Sequence, residues 1–230
     1  MNIYFDNNAT TPTHPAVIEA MTRVLQEGLA NPASQHAAGR TARRILEHAR
    51  ETITALLGGK ISGMDADTLL FTSGGTEANN LALFGLNAEK PGPIVISPLE
   101  HPSVTAAAAE LVRRGQEVRR LRANSAGCVD LDSARELITP EVRLVSVMLA
   151  NNETGVIQPL PELAALCRER GVLLHTDAAQ AVGKIPVDFR RLDVAAMTIA
   201  PHKFHGPVGI GGLLVRHGVT LQPQLFGGFQ

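Results

Sequence analysis

The sequence predicts an α/β fold in which a mainly parallel sheet is sandwiched between helices in three layers. Short apolar runs, typical of buried strands, alternate with amphipathic or alanine-rich runs of helical length between positions 15 and 215. Strands that alternate with such helices are joined by crossover connections, which make neighbouring strands parallel. The 230 residues, 44% of them hydrophobic, suffice for one large domain with a sizeable core.

The predicted strands are short apolar runs with turn-forming residues at their ends, and the predicted helices carry apolar residues at helical spacing. In chain order, the strands are 68–71, 93–97, 117–121, 142–148, 172–175, 194–199 and 209–215. The helices are 15–26, 37–57, 77–86, 103–114, 132–137 and 160–170. We divide the chain into an N-terminal segment, 1–14, with a short extended piece and a loop, and one large domain, 15–230.

The composition argues against several classes of partner. The net charge is −1, charges of both signs are mixed along the chain, and 3% of the residues are aromatic, so neither nucleic acid nor an anionic membrane is an expected partner. No apolar stretch is long enough to span a bilayer, and the first residues lack the pattern of a signal peptide. Two cysteines, Cys128 and Cys167, do not make a disulfide framework, so we expect a cytoplasmic protein.

The first polar segment at a strand end is a glycine-rich turn that leads into a helix, FTSGGTE at 71–77. Backbone N–H groups in such a turn and at the start of the helix, with the Thr76 hydroxyl, form a site for an anion such as a monophosphate. The spacing matches neither a Walker A loop nor a dinucleotide fingerprint. A plain helix cap is the alternative, and the turn taken alone favours it.

Two further strand ends carry polar side chains. His101, in EHPS at 100–103, is of a type that stacks on a flat heteroaromatic ring or moves a proton near neutral pH, although a surface histidine before a helix cap fits equally well. Asn151 and Asn152 follow the next strand, where adjacent amides suit either a polar ligand or a capped turn. Ligands of open α/β sheets bind beyond the carboxyl ends of the strands, so we expect these groups to meet.

Asp177 and Lys203, which follow two successive apolar runs, are the strongest signal of function. Pyridoxal phosphate (PLP) needs a lysine amine for its Schiff base and a carboxylate that keeps its pyridine nitrogen protonated. Of the four lysines, Lys60 and Lys90 lie in polar stretches flanked by glycine or proline and Lys184 lies in a turn, which leaves Lys203 as the best amine. A single aspartate or lysine at such a position is usually a cap or a solvated group. Their joint placement with the other strand ends favours a PLP site.

These motifs, in this order and spacing, resemble the cysteine desulfurase family, which comprises PLP-dependent fold-type I enzymes of the class V aminotransferase group. The resemblance runs from YFDNNATTP at 4–12 through NPAS at 31–34 to GG at 227–228. It implies a homodimer that cleaves the C–S bond of L-cysteine, or in some relatives of selenocysteine. The products would be alanine and a persulfide, whose sulfur would pass to an acceptor protein for iron–sulfur cluster or thio-cofactor synthesis.

The resemblance also implies roles for individual residues. Lys203 would hold the cofactor and move the Cα and Cγ protons, His101 would stack on the ring and help to move protons, and Asp177 would pair with the ring nitrogen. The other expected cofactor-binding residues are Gly75, Thr76 and His202 at the phosphate, and Asn152 and Gln180 near the ring hydroxyl or the substrate. No metal site is expected, because no cysteine or carboxylate lies at ligand spacing beside the His202 and His205 pair.

This chain departs from the family pattern in two ways. Ala200-Pro201 stands where the family has Ser-Gly, so we expect one phosphate hydrogen bond to be missing, at a cost of about 1.5–3 kcal/mol. The family also continues with a smaller domain, an arginine for the substrate carboxylate and a loop with the nucleophilic cysteine, and we expect these parts to be missing here. Segment 1–14 would pack with that smaller domain. Neither Cys128 in a turn nor Cys167 among apolar helix positions is expected to replace the nucleophile.

Two alternative functions stay open at this point. One is a PLP-binding or partner-binding remnant that keeps the scaffold without sulfur transfer. The other is a different class V aminotransferase or lyase, because the recognition of the substrate carboxylate falls in the missing region. Only the desulfurase hypothesis predicts that a persulfide forms from cysteine once a C-terminal part is supplied.

Overall fold

The computed structural model describes residues 3–28, 30–87 and 92–227. The strands in this part of the chain are β1 (Thr68–Thr72), β2 (Ile94–Ile96), β3 (Val118–Arg120), β4 (Leu144–Ser146), β5 (Leu173–Asp177), β6 (Ala196–Ile199) and β7 (Gly211–Val215). The α-helices are α1 (Pro15–Gln26), α2 (Ala37–Leu56), α3 (Gly75–Gly85), α4 (Pro102–Arg113), α5 (Leu131–Leu137), α6 (Leu160–Arg170) and α7 (Phe189–Leu192). Every predicted strand and helix is confirmed, with ends that differ by a few residues. Sequence reasoning missed the four-residue α7 and a 3₁₀ turn at Pro201–Lys203.

The seven strands form one sheet in the order β1-β7-β6-β5-β4-β2-β3. The run from β6 through β5, β4 and β2 to β3 pairs in parallel, whereas β7 is antiparallel to both of its neighbours. Strand β7 is reversed because a 3₁₀ turn and a short loop connect it to β6, and a parallel return needs a longer crossover. The predicted mainly parallel sheet is therefore confirmed.

Helices cover both faces of the sheet. Successive side chains of a strand point to opposite faces, so Ile94 and Ile96 of β2 join a core with α3 and α4, while Val95 joins a second core with α5 and α6. Burial on both faces explains why central strands such as β2, β4 and β6 lack an alternation of apolar and charged residues. The three-layer α/β prediction is confirmed.

The N-terminal segment crosses the carboxyl ends of the parallel strands. Its Thr11 donates both its N–H and its hydroxyl to the carbonyl of His202, at 2.7 and 2.9 Å, and the N–H of His14 bonds to the carbonyl of His205 at 3.0 Å. Residues 3–14 form no helix or strand, so these bonds fix their path. The packing of this segment with a smaller domain stays a prediction.

Helix α1 follows this segment and has no buried residue, so it lies on the outside of the fold. In the described ranges, no helix combines the length and the apolar character that a bilayer crossing requires.

Candidate active site

One cavity of about 540 Å³ at the carboxyl ends of the parallel strands collects every predicted site residue. These residues are Gly75, Thr76, His101, Asn152, Asp177, Gln180, His202 and Lys203. A second, larger depression of about 900 Å³ lies between α2, α6 and α7, but its lining is mostly apolar and includes none of these eight. The chemistry-bearing groups therefore identify the smaller cavity as the candidate site.

Helix α3 points its uncapped N-terminus into this cavity. Gly74 precedes the helix and supplies no side-chain cap, so the first-turn N–H groups are left for solvent or an anion. The Glu77 carboxylate accepts from the N–H and hydroxyl of Ser73 at 2.7 and 2.6 Å, and these bonds lower the pKa of Glu77 while they fix the turn. A Cβ on Gly211 of β7 would overlap the backbone of Gly74, so only glycine permits this approach. The turn is thus held rigidly in a shape that suits a phosphate.

Residue 200 lies opposite the start of α3. Ala200 lines the cavity, and a Cβ built on Gly75 would lie 3.4 Å from the Ala200 Cβ. A methyl group at this position offers no hydrogen bond to a ligand at the helix start. His202 also lines the cavity, where burial and then the charge of Lys203 lower its pKa.

Asp177 is the last residue of β5, as the sequence predicts, and its carboxylate is buried at the cavity wall. One oxygen accepts from the backbone N–H of Ala179 at 2.9 Å, and the other accepts from the Asn79 amide at 2.7 Å. Two donors on two oxygens fix the plane of the carboxylate and leave further lone pairs for a cationic N–H in the cavity.

Asn79 and Ser103 connect Asp177 to His101 by hydrogen bonds. The Asn79 amide also donates to the Ser103 hydroxyl at 2.8 Å, and this hydroxyl lies 2.8 Å from Nδ1 of His101. Because the Ser103 N–H donates to the same Nδ1 at 3.1 Å, the neutral ring carries its proton on Nε2. Sequence reasoning missed both linking residues. The available signal was the position of Asn79 one helical turn after Thr76.

The Lys203 amine is held by the N-terminal segment. Its Nζ donates to the carbonyls of Asn8 and Ala9 at 2.5 and 2.9 Å. Burial and then the charge of Lys184 lower the pKa of Lys203, while Asp177 and Asp6 act in the opposite direction. A lowered pKa raises the share of neutral, nucleophilic amine near pH 7.

Lys184 and the N-terminal segment were not assigned to the site from the sequence. Lys184 Nζ donates to the Gln180 amide oxygen at 2.5 Å, and Gln180 Nε2 donates to the carbonyl of Asn8 at 2.9 Å. Asn8 itself donates to the carbonyl of Asn152 at 3.1 Å. No periodicity or strand end marks the first fourteen residues, so only the folded chain shows that they form a wall of the cavity.

The adjacent amides Asn151 and Asn152 have different roles. The Asn151 oxygen accepts from the N–H groups of Glu153 and Thr154 at 2.9 Å each, and its NH₂ donates to the carbonyl of Leu99 at 3.1 Å. Asn151 therefore caps the turn. The side chain of Asn152 makes no hydrogen bond to the described part of the chain and lines the cavity instead.

Two buried ionisable groups support the strands beneath the site. His175, two residues before Asp177 on β5, lies between the hydroxyls of Ser146 and Thr198 at 2.9 and 3.1 Å, and burial lowers its pKa to about 3. Glu100 accepts from the N–H of Met148 at 2.7 Å with one oxygen, whereas the other oxygen is buried and has no hydrogen-bond partner among the described residues. Burial, and then the charge of Asp177, raises the pKa of Glu100 well above its ordinary value.

We expect Glu100→Gln to stabilise the protein at neutral pH and not in acid. A carboxyl whose pKa is raised by folding stabilises most below its unfolded pKa of 4.5, and that contribution is lost as the pH rises towards its folded pKa. Glutamine is neutral throughout, so the variant should gain about 1–3 kcal/mol in free energy of unfolding between pH 4 and pH 8, relative to wild type. Urea unfolding of both proteins across this pH range measures the difference in their free energies of unfolding. An identical gain for Glu51→Gln, at an exposed position of α2, would contradict the assignment.

Neither cysteine is placed as a nucleophile of this cavity. Cys167 lies in the core on α6, and burial raises the pKa of its thiol to about 12, which confirms the predicted structural thiol. Cys128 is half-buried in a turn, with its Sγ 4.0 Å from the carbonyl of Ile157, and does not line the cavity. The described residues contain no group of three or more histidine, cysteine or acidic side chains arranged to hold a metal ion.

Comparison with known proteins points to one family. The model of the family "Aminotransferase class-V" matches residues 3–230. The chain is 43% identical to a cysteine desulfurase of Cereibacter sphaeroides over 99% of this chain and 59% of the relative. Two solved structures are also similar. A NifS-like protein has a TM-score of 0.93 and 36% identity, and the match covers 100% of this chain and 63% of that one. The structure titled "SspA in complex with cysteine" has a TM-score of 0.91 and 32% identity, and the match covers 100% of this chain and 66% of that one. The chain thus spans about three fifths to two thirds of the length of these proteins.

Proposed function

The chain belongs to the aminotransferase class-V family, and from this premise we propose that it is the PLP-binding large domain of a cysteine desulfurase. The observation that carries the proposal is the meeting of Asp177, Lys203 and the uncapped start of α3 in one cavity. The 43% identity to a cysteine desulfurase favours this member of the family over other class V activities.

The donor set of the cavity fits pyridoxal phosphate. The cofactor presents a phosphate dianion, a basic pyridine nitrogen, a ring hydroxyl and an aldehyde. Free N–H groups at the start of α3 and the Thr76 hydroxyl suit the phosphate, the fixed Asp177 carboxylate suits the protonated nitrogen, and the Gln180 NH₂ suits the hydroxyl oxygen. The amine of Lys203, with its lowered pKa, suits the aldehyde.

When bound, the cofactor supplies a covalent link to the amino group of an amino acid and a sink for the electrons of its Cα–H bond. The chain's own residues then hold and move protons. Asp177 keeps the ring nitrogen protonated, because a buried carboxylate favours a cation beside it. Lys203 Nζ is the base that takes and returns the Cα proton, and its lowered pKa makes it available in the neutral form. His101, with its proton on Nε2, donates at the cavity wall.

We propose L-cysteine as the substrate. The solved relative named as a complex with cysteine supports this choice. Breaking the C–S bond leaves alanine, and the sulfur passes to an attacking thiolate to form a persulfide, so a thiol nucleophile is required. Cys167 is buried with a raised pKa and Cys128 lies outside the cavity, so this thiolate comes from outside the described residues. The persulfide would serve an acceptor protein in iron–sulfur cluster or thio-cofactor synthesis, and we propose a cytoplasmic homodimer.

Two measurements test the proposal. The purified chain mixed with PLP should develop a visible absorption band, and borohydride reduction followed by peptide mapping should place the label on Lys203. For the reaction, the chain is extended after position 227 with the C-terminal part of the Cereibacter sphaeroides relative and supplied with L-cysteine and dithiothreitol. We expect alanine and sulfide in equal amounts. Pyruvate with sulfide would indicate a lyase, and amino transfer to a keto acid an aminotransferase.

A further inference from the structure

We propose that Lys184 is a positioning residue that orients the Gln180 amide and, through it, holds the N-terminal segment at the Lys203 amine. This inference rests on the proposed function only in treating Lys203 as the reacting amine.

A continuous chain of hydrogen bonds joins the two lysines. Lys184 Nζ donates to the Gln180 oxygen at 2.5 Å, and the Gln180 NH₂ donates to the carbonyl of Asn8 at 2.9 Å. The same carbonyl accepts from Lys203 Nζ at 2.5 Å. The carbonyl of Asn8 is therefore shared by the lysine that reacts and by an amide that a second lysine fixes.

Lys184 determines which end of the Gln180 amide faces the cavity. An ammonium group has three donors and no acceptor, so only the amide oxygen of Gln180 can face it. The NH₂ end is then turned towards Asn8 and the cavity. Without Lys184 the amide is free to flip, and a flipped amide would set its oxygen against the carbonyl oxygen of Asn8, where no hydrogen bond forms.

The backbone of Gly183, next to Lys184, packs directly against the side chain of Phe204, next to Lys203. Gly183 has φ of 77°, a region that favours glycine, and a Cβ at this position would lie 2.6 Å from the Cβ of Phe204. Phe204 follows Lys203 in the chain. This close approach fixes the distance between the two segments that carry Lys184 and Lys203. The hydrogen bonds that join the two lysines through Gln180 and Asn8 therefore start from rigidly placed backbone.

The charge of Lys184 acts on the same amine. Lys203 faces two basic groups, Lys184 and the neighbouring ring of His202, and two carboxylates, Asp177 and Asp6. No carboxylate of the described chain pairs with Lys184, so an ion pair does not neutralise its charge there. Removal of that charge favours the protonated form of Lys203 and raises its pKa.

Competitive labelling of the cofactor-free protein with 1-fluoro-2,4-dinitrobenzene, read by peptide mapping between pH 6 and pH 11, tests the proposal. The midpoint of the Lys203 labelling curve reports the pKa of its amine, and the plateau at high pH reports how firmly the amine is held. For Lys184→Met we expect a midpoint at higher pH and a plateau raised about two- to tenfold, the factor that one net hydrogen bond contributes. Lys184→Arg, which keeps charge and donors, should keep both values.

Two further variants separate the parts of the proposal. Gln180→Leu removes the hydrogen bonds between Lys184 and Asn8 but keeps the Lys184 charge. The plateau of Lys203 labelling should therefore rise in this variant, without the midpoint shift expected for Lys184→Met. Lys60→Met removes an equal charge at an exposed ion pair with Asp65, outside the cavity, and should change neither value. A Lys184→Met curve that matches that of Lys60→Met would overturn the proposal, and so would a shifted midpoint with an unchanged plateau. The labelling is done without cofactor. Failure of PLP to attach to Lys203 would therefore refute the proposed function but would not change the labelling result.

Discussion

Lys203→Ala should abolish the covalent attachment of PLP to this chain. The aldehyde of the cofactor needs an amine in the cavity, and Lys203 presents its Nζ there, where burial lowers its pKa. Borohydride reduction should leave no label on the variant, whereas Thr76 and Asp177, the groups proposed to bind the phosphate and the ring, remain in the cavity. We therefore expect reversible PLP binding to persist, and fluorescence titration would measure it.

Lys184 is the second amine that PLP could reach, because it donates a hydrogen bond to Gln180 beside the same cavity. If reduction of the Lys203→Ala variant placed a label on Lys184, the cavity would have two competent amines and Lys203 would lose its unique role. Lys60→Ala is the matched control, since Lys60 pairs with Asp65 outside the cavity, and it should label at Lys203 as wild type does. Loss of labelling in this control would show a folding defect rather than a lost amine.

The fold was predictable because the central strands are buried on both faces. A run such as Ile94–Ile96 has to be apolar throughout, and apolar runs separated by helical periodicity are readable without a structure. Helix α7 was not predicted because its four residues are fewer than the periodicity of an amphipathic helix requires. The reversal of β7 also escaped prediction, since it depends on a short connection rather than on the strand's own residues.

The site was predictable where its residues follow strands. Asp177 and Lys203 are each tied to the end of an apolar run, and parallel strands bring such ends to one edge of the sheet. Asn79 escaped prediction because it acts from inside a helix, and the carbonyls of Asn8 and Ala9 because backbone groups carry no sequence signal. Sequence reasoning therefore found the groups proposed to react and missed those that hold them.

Asp177→Asn should separate cofactor attachment from proton abstraction. Asparagine keeps the shape of the side chain but loses the charge that we propose keeps the ring nitrogen protonated, and the loss of one partner from a buried ion pair costs about 3–5 kcal/mol. Attachment at Lys203 does not need this charge, so borohydride should still label Lys203. Exchange of the Cα proton of L-alanine in D₂O should slow by about 10²- to 10⁴-fold, because a ring without the protonated nitrogen accepts the electrons of the Cα–H bond less readily.

The surroundings of Asp177 predict a second consequence for the same variant. The backbone N–H of Ala179 requires an acceptor, so the introduced amide must turn its oxygen to it and its NH₂ towards the NH₂ of Asn79. The clash between the two NH₂ groups is relieved when Asn79 flips its amide and presents its oxygen, which in the wild type is buried and has no hydrogen-bond partner among the described residues. That flip removes the bond from Asn79 to Ser103. Asp65→Asn, on the surface, is the control for a lost carboxylate, and equal slowing of exchange in both variants would refute the assignment of Asp177 to the ring nitrogen.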